Sequence, residues 1–139
     1  MWFSRKQIAK PGEDKLAGPK QVTTKRLGDE AEAAALAHLQ KAGLKLVERN
    51  YRTPGRGGGE IDLVMREPDG TLVFVEVRRR SGQSHGGAAA SIGTIKQQRI
   101  IFAARSYLTR LGSPPPCRFD VVLVEGKAIE WLRAAFDAS

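Results

Sequence analysis

Apolar and polar positions recur along this chain with periods that assign most of its length to helices and strands. From about Thr24 to Lys41 an alanine-rich run reads as a helix, with Asp29 and Glu30 early and Gly43 placed to stop it. Leu44 to Tyr51 reads as a first strand. The runs Gly59–Met65 and Leu72–Arg78, rich in Val, Ile, Leu and Phe, read as two more, and Pro68-Asp69-Gly70 between them supplies hairpin turn chemistry. A second helix starts at Thr94, whose spacing to Gln97 matches a capping box. Pro114-Pro115-Pro116 breaks the chain before the apolar run Arg118–Val124, and Gly126-Lys127 turns into Ile129–Leu132. The order is helix, three strands, helix, then one or two strands (α-β-β-β-α-β at its shortest), which predicts an α/β sandwich with a mixed sheet flanked by helices.

Each strand of the central hairpin carries one carboxylate inside an apolar run. If Pro68–Gly70 form the loop, Glu67 pairs with Thr71, and counting back along both strands sets Asp62 opposite Glu76. Cross-strand partners have Cβ atoms roughly 4.5–5.5 Å apart, a separation at which like charges destabilise a sheet. A divalent cation, which prefers hard oxygen ligands, would neutralise them. The count depends on register, since a slip of one residue sends the two side chains to opposite faces.

Alternation along the second of these strands puts Leu72, Phe74, Glu76 and Arg78 on one face. In the first helix Glu32, Leu36 and Leu39 fall at i, i+4 and i+7, so Glu32 is either drawn towards the core or sits exposed at the edge of the stripe. In the second helix Gln97 lies on a stripe with Ile101, Ala104, Leu108 and Leu111. Lys96 shares the adjacent stripe with Ile100, Ala103 and Tyr107. Both polar residues sit in the first turn, where capping and solvation compete with a functional role.

Composition narrows the chemistry. The 139 residues, 41% hydrophobic, suit one domain, expected over residues 23–139, preceded by a basic, mobile leader over residues 1–22 in which Trp2 and Phe3 have no evident role. Cys117 stands alone and only His38 and His85 accompany it, so neither an internal disulfide nor a Cys/His zinc site can be built. No apolar stretch approaches the roughly 18 residues of a membrane span, and a reducing compartment, the cytoplasm, suits the chain.

The net charge is +8, of which +5 lies in residues 1–26 (Arg5, Lys6, Lys10, Lys15, Lys20, Lys25 and Arg26 against Glu13 and Asp14). The charge is therefore as compatible with a solvated tail as with a binding arm. The local cluster Arg78-Arg79-Arg80 is more pointed, although Arg79 and Arg80 would also solubilise a strand end. The cations expected to meet a phosphate backbone are Arg56, Arg79, Arg80, Lys96 and Arg99. The glycine-rich loop Pro54–Gly59 lacks the spacing of a nucleotide-binding loop and reads first as a flexible hairpin. His85-Gly86-Gly87 is expected in a loop over Ser81–Gly93. Asp120 is expected to pair with Arg118 rather than to bind a metal.

A cation held by Asp62 and Glu76, with Glu32 binding it directly or through water and Arg78 two residues on, would suit phosphodiester hydrolysis. Asp62, the fourteen-residue step to Glu76, the Glu76-Val77-Arg78 tripeptide and the preceding helical Gly28…Glu32 resemble the PD-(D/E)xK nuclease superfamily, which includes restriction endonucleases and Holliday-junction resolvases. More narrowly, GEIDLVMRE, FVEVRRRS, GGAAAS, KQ and CRFDVV are similar to the uncharacterised bacterial YraN-like family over roughly residues 24–136. The resemblance implies a restriction endonuclease-like core and active-site roles for Glu32, Asp62, Glu76 and Arg78, with Gln97 or Lys96 as a helical accessory. It further implies a Mg²⁺ or Mn²⁺ cofactor, DNA in preference to RNA as partner, branched DNA included, and a homodimer.

One position departs from the superfamily pattern: Arg78 stands where the signature has Lys, and a guanidinium effectively never loses its proton. Charge stabilisation and phosphate positioning survive that change, and Lys96 could supply an amine from the helix. The leading expectation is a metal-dependent nuclease. Its alternative is a non-catalytic nucleic-acid-binding module that keeps the fold, and a third reading is a protein-interaction domain whose acids are structural.

Overall fold

A computed structural model describes residues 23–55, 57–80 and 92–138 of the chain. The expected leader, Arg56 and the loop from Ser81 to residue 91 lie outside the described residues. The elements are α1 (Thr24–Lys41), β1 (Lys45–Arg52), β2 (Glu60–Arg66), β3 (Leu72–Arg79), α2 (Thr94–Leu108), β4 (Cys117–Glu125) and β5 (Ala128–Phe136). Two strands, not one, therefore follow α2. The five strands form one open mixed sheet in the order β1-β2-β3-β4-β5, antiparallel except for the parallel pair β3–β4.

The first turns of α1, residues 24–30, are held locally. Thr23 caps them, its hydroxyl accepting the Arg26 N–H at 3.1 Å. Asp29 and Glu30 fall in the second turn and pair with Lys25 at 3.0 Å and Arg26 at 3.3 Å, four residues back. Both pairs are solvated, so each contributes only about 0.3–0.5 kcal/mol. Gly43 ends the helix at a φ of 105°, and Leu44 N–H donates to the Leu39 carbonyl.

The unit from Ala31 onward is built on the strict alternation of β3. Val73 and Val75 pack with Ala31, Ala35 and Leu39 of α1 and with Leu63, Met65, Val122 and Val124. Leu72 and Phe74 pack on the opposite face with Ile100, Ala103, Ala104 and Tyr107 of α2. The buried stripe of α1 is thus Ala31–Ala35–Leu39, with Glu32 and Leu36 half-buried beside it. In α2 the stripe shared with Lys96 is the one that faces the sheet, while Ile101, Leu108 and Leu111 are only partly covered.

The central hairpin has the predicted register. Glu67 N–H donates to the Thr71 carbonyl at 2.9 Å, Gly70 takes φ 97° in the turn, and the ladder runs Arg66↔Leu72 to Leu63↔Val75. The acid in β4 also behaves as expected. Asp120 is fully buried and receives Arg118 Nε at 2.9 Å and Nη2 at 3.0 Å, together with Trp131 Nε1 at 2.8 Å and the Ala134 N–H at 2.9 Å. Ala134 takes a φ of 51° where β5 carries extra residues against β4, so one carboxylate fixes both the strand pair and its bulge.

Gly59 has a packing role. A Cβ there would collide with the Arg99 carbonyl of α2, so glycine lets the helix lie directly against the entry to β2. Gly59→Ala is expected to cost about 1–3 kcal/mol, because helix backbone cannot rotate away as a side chain can. A melting temperature within 2 °C of wild type, by differential scanning fluorimetry, would contradict this contact.

Candidate active site at the diverging ends of β2 and β3

The site arises where the regular ladder stops. The pairings of β1 with β2 flank an interruption, Arg49↔Leu63 and Tyr51↔Ile61, and the intervening residues are Asn50 and Asp62. Asn50 adopts a left-handed φ of 52°, a conformation that asparagine tolerates better than most residues. The faces switch there. Leu63 packs with the α1 cluster, whereas Ile61, two residues earlier, packs with the α2 cluster. Regular alternation would place both on one face. This twist carries Asp62 towards β3, where its Oδ2 accepts the Val77 N–H at 2.8 Å. A side chain thus occupies the N–H that the next ladder step, Val77 opposite Ile61, would otherwise use.

Glu76, the residue opposite Asp62 when the ladder is extended, is buried, with 8% of its surface exposed. Burial pushes the Glu76 carboxyl up to about 7, the charge of Asp62 pushes the same way, and Lys96 and Arg78 oppose them. Asp62 is also raised, chiefly by burial, against the Val77 N–H and Lys96. Both acids are thus held above the ordinary carboxylate range, Glu76 the further. Lys96 approaches from the first turn of α2, with Nζ 3.6 Å from Glu76 Oε2.

The other expected site residues are placed differently. Glu32 is 3.9 Å from Arg49, and among the described residues no group of three or more His, Cys, Asp or Glu is positioned to hold a metal ion. Gln97 does not close a capping box: Gly93, not Thr94, is the N-cap, without a side-chain bond, and Gln97 Nε2 donates to the Ile92 carbonyl at 2.8 Å. Arg80 is turned to the far strands, 3.2 Å from Glu125 and 3.7 Å from Glu130. Arg78 is half-buried beside Glu76, and Arg79 and Arg99 are exposed. Asn50 and the Val77 N–H escaped the sequence reading. The asparagine's tolerance of left-handed backbone was the available signal.

A divalent cation fits this donor set. Two facing carboxylates that repel one another in a partly buried place offer hard oxygen ligands, and Mg²⁺ characteristically takes one or two carboxylates and keeps several waters. Asp62 and Glu76 are the residues that would hold it.

The described residues thus form an α/β architecture with a five-stranded mixed sheet, two helices and an acidic pair, half-buried Asp62 and buried Glu76, at the end of the central hairpin. Residues 31–124 match the uncharacterised protein family UPF0102, and the chain belongs to that family. It is 70% identical to a UPF0102 protein of Polaromonas sp. (strain JS666 / ATCC BAA-500) and 65% identical to one of Polaromonas naphthalenivorans (strain CJ2), in both cases over the whole of both chains. A UPF0102 protein of Albidiferax ferrireducens is 71% identical over 84% of this chain and 91% of its own length. Among the described residues no helix is long and apolar enough to cross a membrane.

Proposed function

We propose that this chain is a metal-dependent nuclease of the PD-(D/E)xK superfamily, built on a restriction endonuclease-like core and acting on DNA. The observation that carries the reading is the Asp62–Glu76 pair: two facing carboxylates, Glu76 buried and Asp62 partly so, both held above the ordinary carboxylate range, with Lys96 and Arg78 alongside. Evolved stability alone has no use for facing buried acids. The element order and the Asp62…Glu76-Val77-Arg78 spacing support the same assignment.

Mg²⁺ or Mn²⁺ bound at the pair would lower the pKa of a water and neutralise charge on the scissile phosphate. Asp62, oriented by the Val77 N–H, and Glu76 would hold the cation. Arg78 supplies a permanent positive charge for the phosphate oxygens but cannot accept a proton. Among the described residues the amine against the pair is that of Lys96, which in this reading would be placed to carry a proton.

The test is cleavage of labelled single-stranded, duplex and four-way-junction DNA in Mg²⁺, Mn²⁺ or EDTA. Wild type is expected to cut only with metal, and Asp62→Ala to lose about a hundredfold or more in rate, a loss typical when a transition-state stabilising group is removed. No cutting by wild type on any substrate sinks the nuclease reading. Arg78 favours a second reading, a binding module that has lost its chemistry. It is supported instead if DNA binding persists in EDTA and in Asp62→Ala and weakens steeply with salt.

A further inference from the structure

Helix α2 has a second face that the site does not use. Of the large apolar side chains in the described residues, Ile95 is 70% exposed and Phe102 51%. They stand seven residues apart on one side of α2, away from the buried stripe of Ile100, Ala103, Ala104 and Tyr107. Arg99 and Arg105 are exposed beside them, and α2 contains Lys96, Arg99 and Arg105 with no Asp or Glu at all. Phe102, Arg105, Gln98, Ile101 and Ala138 line a groove of about 340 Å³, at the small end of the roughly 300–1,000 Å³ that ligand clefts occupy.

An exposed aromatic ring flanked by guanidinium groups selects its occupant by chemistry. A second copy of this face would set Arg99 and Arg105 against their own equivalents with no acid on the helix to meet them. A lipid surface requires a broad apolar face, and here only Ile95 and Phe102 project. A polyanion that also offers flat apolar faces satisfies both features, and that description fits nucleic acid whose bases are unstacked. Lys96, in the first turn of the same helix, reaches Glu76. It lies six residues before Phe102, about 9 Å along the axis and about 120° around it, with Arg99 midway, so a strand following the Phe102–Arg99–Lys96 row winds from the ring towards the acidic pair.

We infer that Phe102, with Arg99 and Arg105, forms a base-stacking platform that makes unpaired segments the substrate class of the acidic site. The inference rests on the nuclease reading for its function, but the platform is testable without cleavage. Duplex bases hide their faces, so stacking by Phe102 discriminates single strands and frayed or branched junctions from continuous helix.

The experiment is fluorescence anisotropy in EDTA with a labelled single-stranded 20-mer and the blunt duplex of the same sequence. Wild type is compared with Phe102→Ala and Phe102→Trp, and circular dichroism melting confirms that each variant is folded. Phe102→Ala is expected to weaken single-strand binding about tenfold, to leave duplex binding within about twofold, and to be rescued by Phe102→Trp. Single-strand binding by Phe102→Ala equal to wild type overturns the platform, as does preference of wild type for duplex. So does retention on phosphatidylglycerol vesicles with no binding to either oligonucleotide. Phe102-dependent binding without cleavage in any metal would keep the platform and remove the nuclease chemistry. Metal-dependent cleavage indifferent to Phe102→Ala on single-stranded and duplex DNA would do the reverse.

Discussion

Asp120→Ala is expected to destabilise the fold by about 3–5 kcal/mol, the cost of breaking a buried ion pair from one side. The carboxylate it removes is wholly buried and receives four donor groups, from Arg118 twice, from Trp131 and from the Ala134 N–H. Arg118 would retain Glu67, but the indole and the bulge amide would be left without an acceptor. For a domain of this size the loss corresponds to roughly 10–20 °C in melting temperature. Asp120→Asn, which keeps the shape and one acceptor oxygen, should fall between. Urea unfolding reads the effect, and a loss below about 1 kcal/mol for Asp120→Ala would mean that β5 is held by its apolar contacts alone. Because the network lies among β4, β5 and the Glu67 turn, both variants should leave the Asp62–Glu76 pair as it is in wild type at temperatures where they remain folded.

The opposite effect is expected at Glu76. Its folded carboxyl titrates near pH 7 against 4.5 for the ordinary group, so the folded chain holds this proton more tightly than the unfolded chain does. The stability that Glu76 contributes is therefore fully present below about pH 4.5 and declines as the pH rises to about 7. Above that the fold carries the whole cost of a second buried negative charge, on the order of 3 kcal/mol. Glu76→Gln removes that cost. The variant should match wild type near pH 5 and melt about 10 °C higher at pH 8, with titrating groups elsewhere cancelling in the difference. If the pair holds Mg²⁺, the ion should recover part of this stability for wild type at pH 8 and none for Glu76→Gln. Melting curves of the two proteins that run parallel from pH 5 to 8 would show that the pair bears no such strain.

These two acids show how far the chain could be read in one dimension. Both interrupt apolar strands with an arginine two residues away, and hairpin register separated them. Arg118 lies two residues from Asp120, hence on the same strand face, which foretold its partner. Glu76 had no such neighbour of its own except Arg78, and the turn count from Pro68–Gly70 brought it opposite Asp62. Local chemistry governed each inference, because period-two alternation and hairpin register act over a few residues. Glu32 falls between the two alternatives its stripe left open. Its stripe was read through Leu36 and Leu39, whereas the helix buries Ala31, Ala35 and Leu39 and leaves Glu32 half-buried near Arg49. A small-residue stripe packs closest to a sheet, and hydrophobicity alone undervalues alanine there.

By itself, then, the sequence determined the elements, the hairpin register, the two-faced β3 strand and the pairing of Asp120, all set by turn residues and by which side chains alternate. Only the tertiary structure decided which of two adjacent stripes of α2 meets the sheet, and with it that Lys96 and not Gln97 approaches Glu76. It also decided that Asn50 turns left-handed, that β2 switches faces at Asp62, and that the Val77 N–H is released to hold a carboxylate. Such choices depend on how helices settle on a twisted sheet, where the energies of several distant contacts compete, and no spacing along the chain encodes them singly.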